Sequence, residues 1–403
     1  MSNPIEGKRV LLGVSGSIAA YKAAELASRL TQAGALVDVI LTQAAIQFVT
    51  PLTFQSVTGR RAYTDTDLWG TEGHVQHVGL GKAADVLVIA PATANTLARL
   101  AHGLADNLLT VTALAATCPL LLAPAMDGGM YAHPATQANL EILRQRGAQI
   151  IGPVEGHLAS GLSGMGRMVE PQELLGHIRL ALARRGPLAG RKLVVTAGGT
   201  QEPIDPVRAI ANRSSGKQGY ALAQAALDLG AQVTLISGPV NLTAPVGAQL
   251  VSVQTAQEML SAVLAAIPGA DALIMAAAVA DFRPVEPAAE KIKKETGLPQ
   301  IRLENTPDIL KAVAKERAEK GWPRLTVGFA AESQDLLENA QRKLREKRLD
   351  MIAANDIRAR DAGFAVDTNR ITLLYPDGTS EALPLMTKEQ VALALLERVI
   401  QRL

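Results

Sequence analysis

Two apolar, strand-like runs that each break into a small-residue loop and then a helical pattern constrain this chain more than any other feature. The first is Arg9-Val10-Leu11-Leu12, which opens into Gly13-Val14-Ser15-Gly16-Ser17 before a helical pattern from Ile18 to Ala33. The second starts at Val194, opens into Ala197-Gly198-Gly199-Thr200, and is followed by Asn212-Arg213-Ser214-Ser215-Gly216-Lys217-Gln218-Gly219. Two such openings, roughly 180 residues apart, imply two nucleotide-type sheets in tandem. The 403 residues exceed the usual size of one hydrophobic core, and an apolar fraction of 48% is ordinary for a globular chain, so two domains are expected.

Charge and aromatic content narrow the partners. Forty basic side chains nearly balance thirty-eight acidic ones, and 3% aromatic residues provide no stacking platform, so small ligands are expected rather than nucleic acid. Met1 to Lys8 contains no apolar leader, and no later apolar run reaches spanning length without Gly, Pro or charge, so the expectation is a cytoplasmic protein without membrane contact. The single cysteine, Cys118, cannot form an intrachain disulfide. Its place before Pro119, at the start of an apolar run, favours a packing role.

In the first half, strand patterns at Val10–Gly13, Leu36–Leu41, Val86–Ala90 and Leu120–Ala123 alternate with helical patterns at Ile18–Ala33, Thr93–Leu100, Leu108–Ala115 and Thr136–Arg146. Alternation of this kind predicts a parallel sheet with ligands beyond the carboxyl ends of its strands. The loops at Gly13–Ser17, Thr42, Pro91–Asn95 and Pro124–Gly129 should therefore converge. Gly16 and Ser17 would offer N–H and hydroxyl groups at a helix start, where an anion is favoured, although an ordinary strand-to-helix turn explains them equally well. The Gly-x-Gly-x-x-Gly spacing is incomplete, which argues against a pyridine dinucleotide and for a single-phosphate cofactor.

A helical pattern from Glu173 to Arg184 and the break Arg185-Gly186-Pro187-Leu188-Ala189-Gly190 set the expected boundary, giving domains 1–187 and 188–403. Beyond it, strand patterns at Lys192–Ala197, Gln232–Ile236, Ala272–Ala276, Arg324–Phe329 and Met351–Ala353 alternate with helical segments near Gln218–Leu229, Ala256–Ala266, Asp308–Lys320 and Asp335–Lys347. The fold class expected overall is α/β, as two tandem Rossmann-like or flavodoxin-like parallel-sheet domains. Ser214 to Gly219 is not a Walker loop, because Ala211 replaces its first glycine and Gln218 its magnesium-holding hydroxyl, yet it can still form a phosphate nest. Lys343 and Lys347, at i and i+4, share a helix face. With Glu338 and Glu346 they also read as an exposed, charge-alternating helix.

Several motifs together resemble a known family. Ala90-Pro91-Ala92-Thr93-Ala94-Asn95-Thr96 is similar to the flavin-binding motif of flavin-containing cysteine decarboxylases, and Pro124-Ala125-Met126-Asp127-Gly128-Gly129-Met130 to their substrate-recognition motif. Gly73-His74-Val75 stands at their catalytic histidine. Ala276-Ala277-Ala278-Val279-Ala280-Asp281-Phe282, Glu290-Lys291-Ile292-Lys293-Lys294 and Pro307-Asp308-Ile309-Leu310 resemble phosphopantothenate–cysteine ligases. Nearly end to end, the chain resembles the bifunctional bacterial enzymes of coenzyme A biosynthesis.

That resemblance implies CTP-dependent joining of 4′-phosphopantothenate to cysteine in the second half, then FMN-dependent decarboxylation to 4′-phosphopantetheine in the first. It implies FMN on Gly16, Ser17, Thr42, Thr93, Asn95 and Ala125, with His74 helping to oxidise the cysteinyl thiol so that the resulting thioaldehyde can lose carbon dioxide. It implies an acyl intermediate held by Asn212, and Lys291 with Mg²⁺ acting on the triphosphate, while no magnesium ligand is identified. Nucleotide and substrate contacts would come from Gly199, Ser214, Gly216, Gly219, Met275, Ala276, Ala277, Ala278, Asp281, Pro307, Asp308, Ile309, Leu310, Phe329, Lys343, Lys347 and Asn355. A homo-oligomer is expected, a dodecamer by family likeness.

Two departures bear on mechanism. Asp127 stands where the decarboxylases carry Asn, so a hydrogen-bond donor is replaced by an acceptor that repels the substrate carboxylate unless it is protonated or turned away. Ser160 replaces the proton-donating cysteine of a flap running from Gly156 to Met168, and a hydroxyl is a far weaker acid than a thiol of pKa about 8.5. A proton relayed through Ser160 from water or His157 keeps the reaction complete. The rival expectation is an active ligase fused to a non-catalytic, or enethiol-producing, FMN-binding oligomerisation module. A two-domain nicotinamide dehydrogenase is disfavoured by the missing glycine fingerprints.

Overall fold

The computed structural model describes residues 3–69, 76–159, 161–293, 300–332, 336–356 and 367–403. The chain divides into two compact units, one ending at Ala183 and the other running from Arg184 to Leu403.

The first unit is built on strands β1 (Arg9–Val14), β2 (Leu36–Leu41), β3 (Ala62–Tyr63), β4 (Val86–Ala92), β5 (Leu120–Pro124) and β6 (Gln149–Ile150), all parallel, in the order β3-β2-β1-β4-β5-β6. A hairpin of β7 (Val154–His157) and β8 (Ser163–Arg167) follows. Its helices are α1 (Ala20–Gln32), α2 (Pro51–Thr58), α3 (Gln76–Ala83), α4 (Ala94–His102), α5 (Leu108–Ala115), α6 (Gly128–Ala132), α7 (Pro134–Gln145) and α8 (Pro171–Ala183). The strands are apolar almost throughout because both faces are covered. Val10, Leu12 and Val14 enter the cluster that includes α1 and α8, while Leu11 enters the cluster that includes α4, α5 and α7. Strand order reverses between β1 and β4, which opens a crevice at their carboxyl ends.

The second unit has an eight-stranded sheet in the order β13-β12-β9-β14-β17-β18-β20-β21. Its parallel strands are β9 (Lys192–Ala197), β12 (Gln232–Ser237), β13 (Gln249–Ser252), β14 (Ala272–Met275), β17 (Leu325–Glu332) and β18 (Met351–Asp356). The last two strands, β20 (Ile371–Leu374) and, at the sheet edge, β21 (Ser380–Ala382), pair antiparallel. Three two-stranded pieces lie outside it: β10 (Gln201–Asp205) with β11 (Arg208–Ala211), β15 (Phe282–Pro284) with β16 (Leu303–Asn305), and β19 (Thr368–Asn369) with β22 (Met386–Thr387).

Helices of this unit are α9 (Lys217–Asp228), α10 (Ala256–Ala266), α11 (Ile309–Lys320), α12 (Leu336–Glu346) and α13 (Lys388–Ile400). Met259 and Val263 of α10 pack with Ile309 and Val313 of α11 beneath β9 and β14, and Ala340 and Leu344 of α12 pack on Ile352 and Ala354. Here the order reverses between β9 and β14. No helix among the described residues is long and apolar enough to cross a membrane.

Candidate functional site

In the first unit, four loops beyond the strand ends enclose a cavity of about 600 Å³ lined by Gly16, Ser17, Thr42, Thr93, Asn95 and Ala125. The loops are tied to one another. The Ser15 hydroxyl donates to the Pro91 carbonyl at 2.7 Å and accepts from the Thr93 N–H at 3.0 Å. Proline cannot donate to the ladder, and the β4–β5 register shifts between Ile89 and Ala92. Thr93 then caps α4 by accepting from Thr96 N–H. Gly16 fits because a Cβ there would sit 2.4 Å from the Ala44 Cβ.

Beside this cavity, a recess of about 550 Å³ lies between Asp127–Ala132 and the β7–β8 hairpin. The Asp127 carboxylate accepts from the Gly129 N–H at 2.9 Å, so the aspartate is engaged as the cap of α6. The hairpin leans directly on this turn: Met126 N–H donates to Gly166 carbonyl at 3.0 Å, and a Cβ on Gly166 would meet the Met126 oxygen at 2.2 Å. Only glycine permits that approach. Cys118 packs against the sheet core, and burial pushes its thiol pKa up, which keeps it protonated and inert at neutral pH.

In the second unit, a cavity of about 1010 Å³ lies over the carboxyl ends of β14, β17 and β18. It gathers Asn212, Ser214, Gly216, Gly219, Met275, Ala276, Ala277, Ala278, Asp281, Pro307, Asp308, Ile309, Leu310, Phe329, Lys343, Lys347 and Asn355. The wall from Ala276 to Asp281 is fastened by side chains on the neighbouring strand and its loop. The Thr196 hydroxyl accepts from Ala277 N–H at 3.1 Å and the Thr200 hydroxyl from Ala280 N–H at 2.9 Å. Asn212 donates to the Val279 carbonyl at 2.9 Å, which draws the glycine-rich loop against that wall. Asp308 both caps α11, accepting from Lys311 N–H at 3.1 Å, and pairs with Lys347.

The family model described as Flavoprotein matches residues 1–182, and the one described as DNA/pantothenate metabolism flavoprotein C-terminal domain matches 188–403. The coenzyme A biosynthesis bifunctional protein of Bacillus subtilis (strain 168) is 46% identical over 98% of this chain and 97% of its own. Its namesake in Mycobacterium tuberculosis (strain ATCC 25618 / H37Rv) is 47% identical over 98% and 96%. The chain belongs to the family of coenzyme A biosynthesis bifunctional proteins. A solved C-terminal domain of such a protein is 40% identical, covering 54% of this chain and 97% of that one at a TM-score of 0.45.

Not every residue expected from the likeness to the coenzyme A biosynthesis bifunctional family reaches a cavity. His74 and Ser160 lie outside the described residues, as does Lys294. Gly199 does not line the cavity; it bridges to Ala278, and a Cβ there would meet the Asn212 carbonyl oxygen at 2.8 Å. Lys291 is exposed and does not line the cavity. The reason is its neighbour: Ile292 N–H donates to the buried Asp205 carboxylate at 3.2 Å, and Arg208 Nη1 donates to the Ile292 carbonyl at 3.2 Å, so the segment is moored to the β10–β11 hairpin.

Other residues escaped sequence reasoning. In the bifunctional family's flavoprotein half, Asp65, Arg99, Asp106 and Asn107 complete the cavity, with Arg99 paired to Asp106 and Asn107 capping α5. In its C-terminal half, Asn369 and Lys388 join Lys217 and Gln218 of the expected phosphate nest along one edge of the cavity. Lys217 pairs with Asp367 at 2.5 Å, while burial, then Lys217, push the Lys388 ammonium pKa down. The one local signal for Lys388 was the Thr387–Gln390 capping box that starts α13. Among the described residues no group of three or more His, Cys, Asp or Glu is placed to hold a metal ion.

Proposed function

We propose that the unit from Arg184 joins 4′-phosphopantothenate to cysteine at the expense of CTP, and that the unit ending at Ala183 decarboxylates the product with FMN to 4′-phosphopantetheine. Membership of the bifunctional family means coenzyme A biosynthesis with ligase and decarboxylase activities. The observation that carries the finer reading is the 1010 Å³ cavity, in which a glycine-rich helix start, a row of alanine backbone groups and the α12-side lysines face one space.

In the ligase, the carboxylate of phosphopantothenate attacks the α-phosphorus of CTP and expels pyrophosphate. The cysteine amine then attacks the acyl carbon and releases CMP. Ser214, Gly216 and the start of α9 suit phosphate oxygens, Lys343 and Lys347 add positive charge, and Asn212 supports the acyl group. Asp281 and Asp308 are the family-matched carboxylates in the lining, and Asp308 is committed to Lys347. Mg²⁺ would enter with the triphosphate, as is usual for this ion, and would offset its negative charge beside Lys343 and Lys347. Lys291 acts on the triphosphate only if its segment leaves the Asp205 mooring.

In the decarboxylase, the cavity of about 600 Å³ falls within the usual size of a cofactor site, roughly 300–1,000 Å³. Gly16 and Ser17 suit the phosphate, and Thr42, Thr93, Asn95 and Ala125 suit the remainder of FMN. Bound flavin supplies two-electron oxidation and reduction of the cysteinyl side chain. His74 takes the thiol proton, and Ser160 relays a proton in the last step. The chain assembles as a homo-oligomer, a dodecamer by its family likeness.

The test supplies phosphopantothenate, cysteine, Mg²⁺ and either CTP or ATP to the purified full-length protein, with every product identified by mass. Expected are pyrophosphate, carbon dioxide and 4′-phosphopantetheine, with no carbon dioxide from His74→Asn. Accumulation of the oxidised enethiol would refute the Ser160 relay, and ligation without loss of carbon dioxide would leave the first unit a flavin-binding module.

A further inference from the structure

At the carboxyl end of β18, Asn355 lines the second unit's cavity while only 8% of its surface is exposed. Its Nδ2 donates to Asn369 Oδ1 at 3.3 Å, but its Oδ1 has no hydrogen-bond partner among the described residues. An orphaned acceptor at such depth is costly unless something else completes it. A carboxamide could escape by turning over, since its oxygen and nitrogen are nearly isosteric. Here it cannot.

The reason is a relay of three amides that ends on a backbone oxygen. Gln218 Nε2 donates to the Lys388 carbonyl at 3.1 Å, and a carbonyl can only accept. Gln218 must therefore present Oε1 to Asn369, whose Nδ2 donates to it at 2.8 Å. Asn369 in turn presents Oδ1 to Asn355, which must answer with Nδ2. Each step fixes the next, so the Asn355 oxygen, buried within a residue that lines the cavity, is left without a hydrogen-bond partner among the described residues.

Resting on the proposed ligase function, we propose that this relay makes Asn355 a specificity-determining acceptor, which receives a hydrogen from an amine or hydroxyl group of a bound substrate. Three sources share that chemistry: the amino group of the nucleobase, the amine of cysteine, and the hydroxyl groups of the pantothenate portion. The relay lies beside Lys217 and Lys388, which line the same cavity. Asn355 touches substrate in this scheme. Asn369 and Gln218 act through it and are positioning residues.

The test measures KM for CTP, phosphopantothenate and cysteine separately, together with kcat, in the full-length parent protein and in Asn355→Ala and Asn369→Leu. Asn355→Ala is expected to raise one of the three KM values about tenfold to a hundredfold, the others staying within about twofold. Asn369→Leu frees the carboxamide to turn and should raise the same KM severalfold. The affected substrate names the donor; for the nucleobase, the parent prefers CTP to UTP and Asn355→Ala does not. Unchanged KM values, a fall in kcat alone, or variants that affect different substrates would overturn the inference. Calorimetric binding of each substrate separates the two claims: a parent that neither ligates nor binds any of the three overturns the proposed function and the inference together, whereas an active parent with indifferent variants overturns only the inference.

Discussion

Replacing Gly219 by alanine tests whether the second cavity depends on how closely α9 approaches β9. A Cβ at this position would lie 2.5 Å from the Ala197 Cβ, 2.8 Å from the Thr196 carbonyl oxygen and 2.9 Å from the Ala197 Cα. Carbon atoms settle at about 3.5–4.0 Å, so the first turn of α9 must retreat by about 1 Å. Overpacking of this kind costs about 1–3 kcal/mol, and the clash with backbone atoms, which cannot rotate away, points to the upper half of that range. Alanine returns up to about 1 kcal/mol through its better helix propensity, which leaves a net loss of about 1–2 kcal/mol. For a unit of this size each kcal/mol lowers Tm by about 2–4 °C, so the transition should fall by about 2–8 °C, with faster amide exchange in Lys217–Asp228. The larger effect is on function. Ser214 and Gly216 lead directly into α9, and a displacement of 1 Å at a reacting centre costs about 10²-fold, so ligase kcat/KM should fall by one to two orders of magnitude. An alanine variant with Tm within about 1 °C of the parent and activity within about twofold would refute the close-approach argument.

Asp127→Asn should leave stability within about 0.5 kcal/mol, because both residues cap helices equally well, whereas Asp127→Ala should lose about 1 kcal/mol in urea denaturation. The same Asn variant removes a carboxylate from the recess and should lower the decarboxylase KM; a raised KM would refute the repulsion reasoning. Glu381 is held by Arg398 at 2.5 Å, and the hydrogen bond from that guanidinium holds its carboxyl below the usual range. In the unfolded chain the group takes up its proton near pH 4.3, before the folded chain does. The pair's stabilisation is therefore complete above that pH and is lost as pH falls through the lower folded value. Glu381→Gln should flatten the decline in urea midpoint between pH 5 and 3, by less than about 1 kcal/mol because the pair is partly exposed, and an unchanged slope would show that Glu381 adds nothing.

What could be read in the sequence follows from where each signal is encoded. The central sheet strands of both units are buried on both faces, so Val86 to Ala90 or Lys192 to Ala197 announces itself as a short apolar run regardless of what packs on it. The loops after those strands are equally legible, because parallel topology brings strand ends together and the glycines mark where the backbone must approach. Hairpins such as β10–β11 left little trace: no apolar alternation sets their register, which rests on the buried Asp205 accepting from Val207 and Arg208 N–H. That same carboxylate explains why Lys291 departs from its expected place, since a motif's spacing carries no information about which distant acid will moor it. Lys388 is the complementary case. Its capping box marks the start of a helix, but only the packing of α13 against α9 brings it to Gln218, 170 positions away in the chain. Catalytic loops at strand ends are local features and can be recognised locally, whereas the polarity of the amide relay exists only once three separate segments have met, so the acceptor character of Asn355 belongs to the fold rather than to any motif.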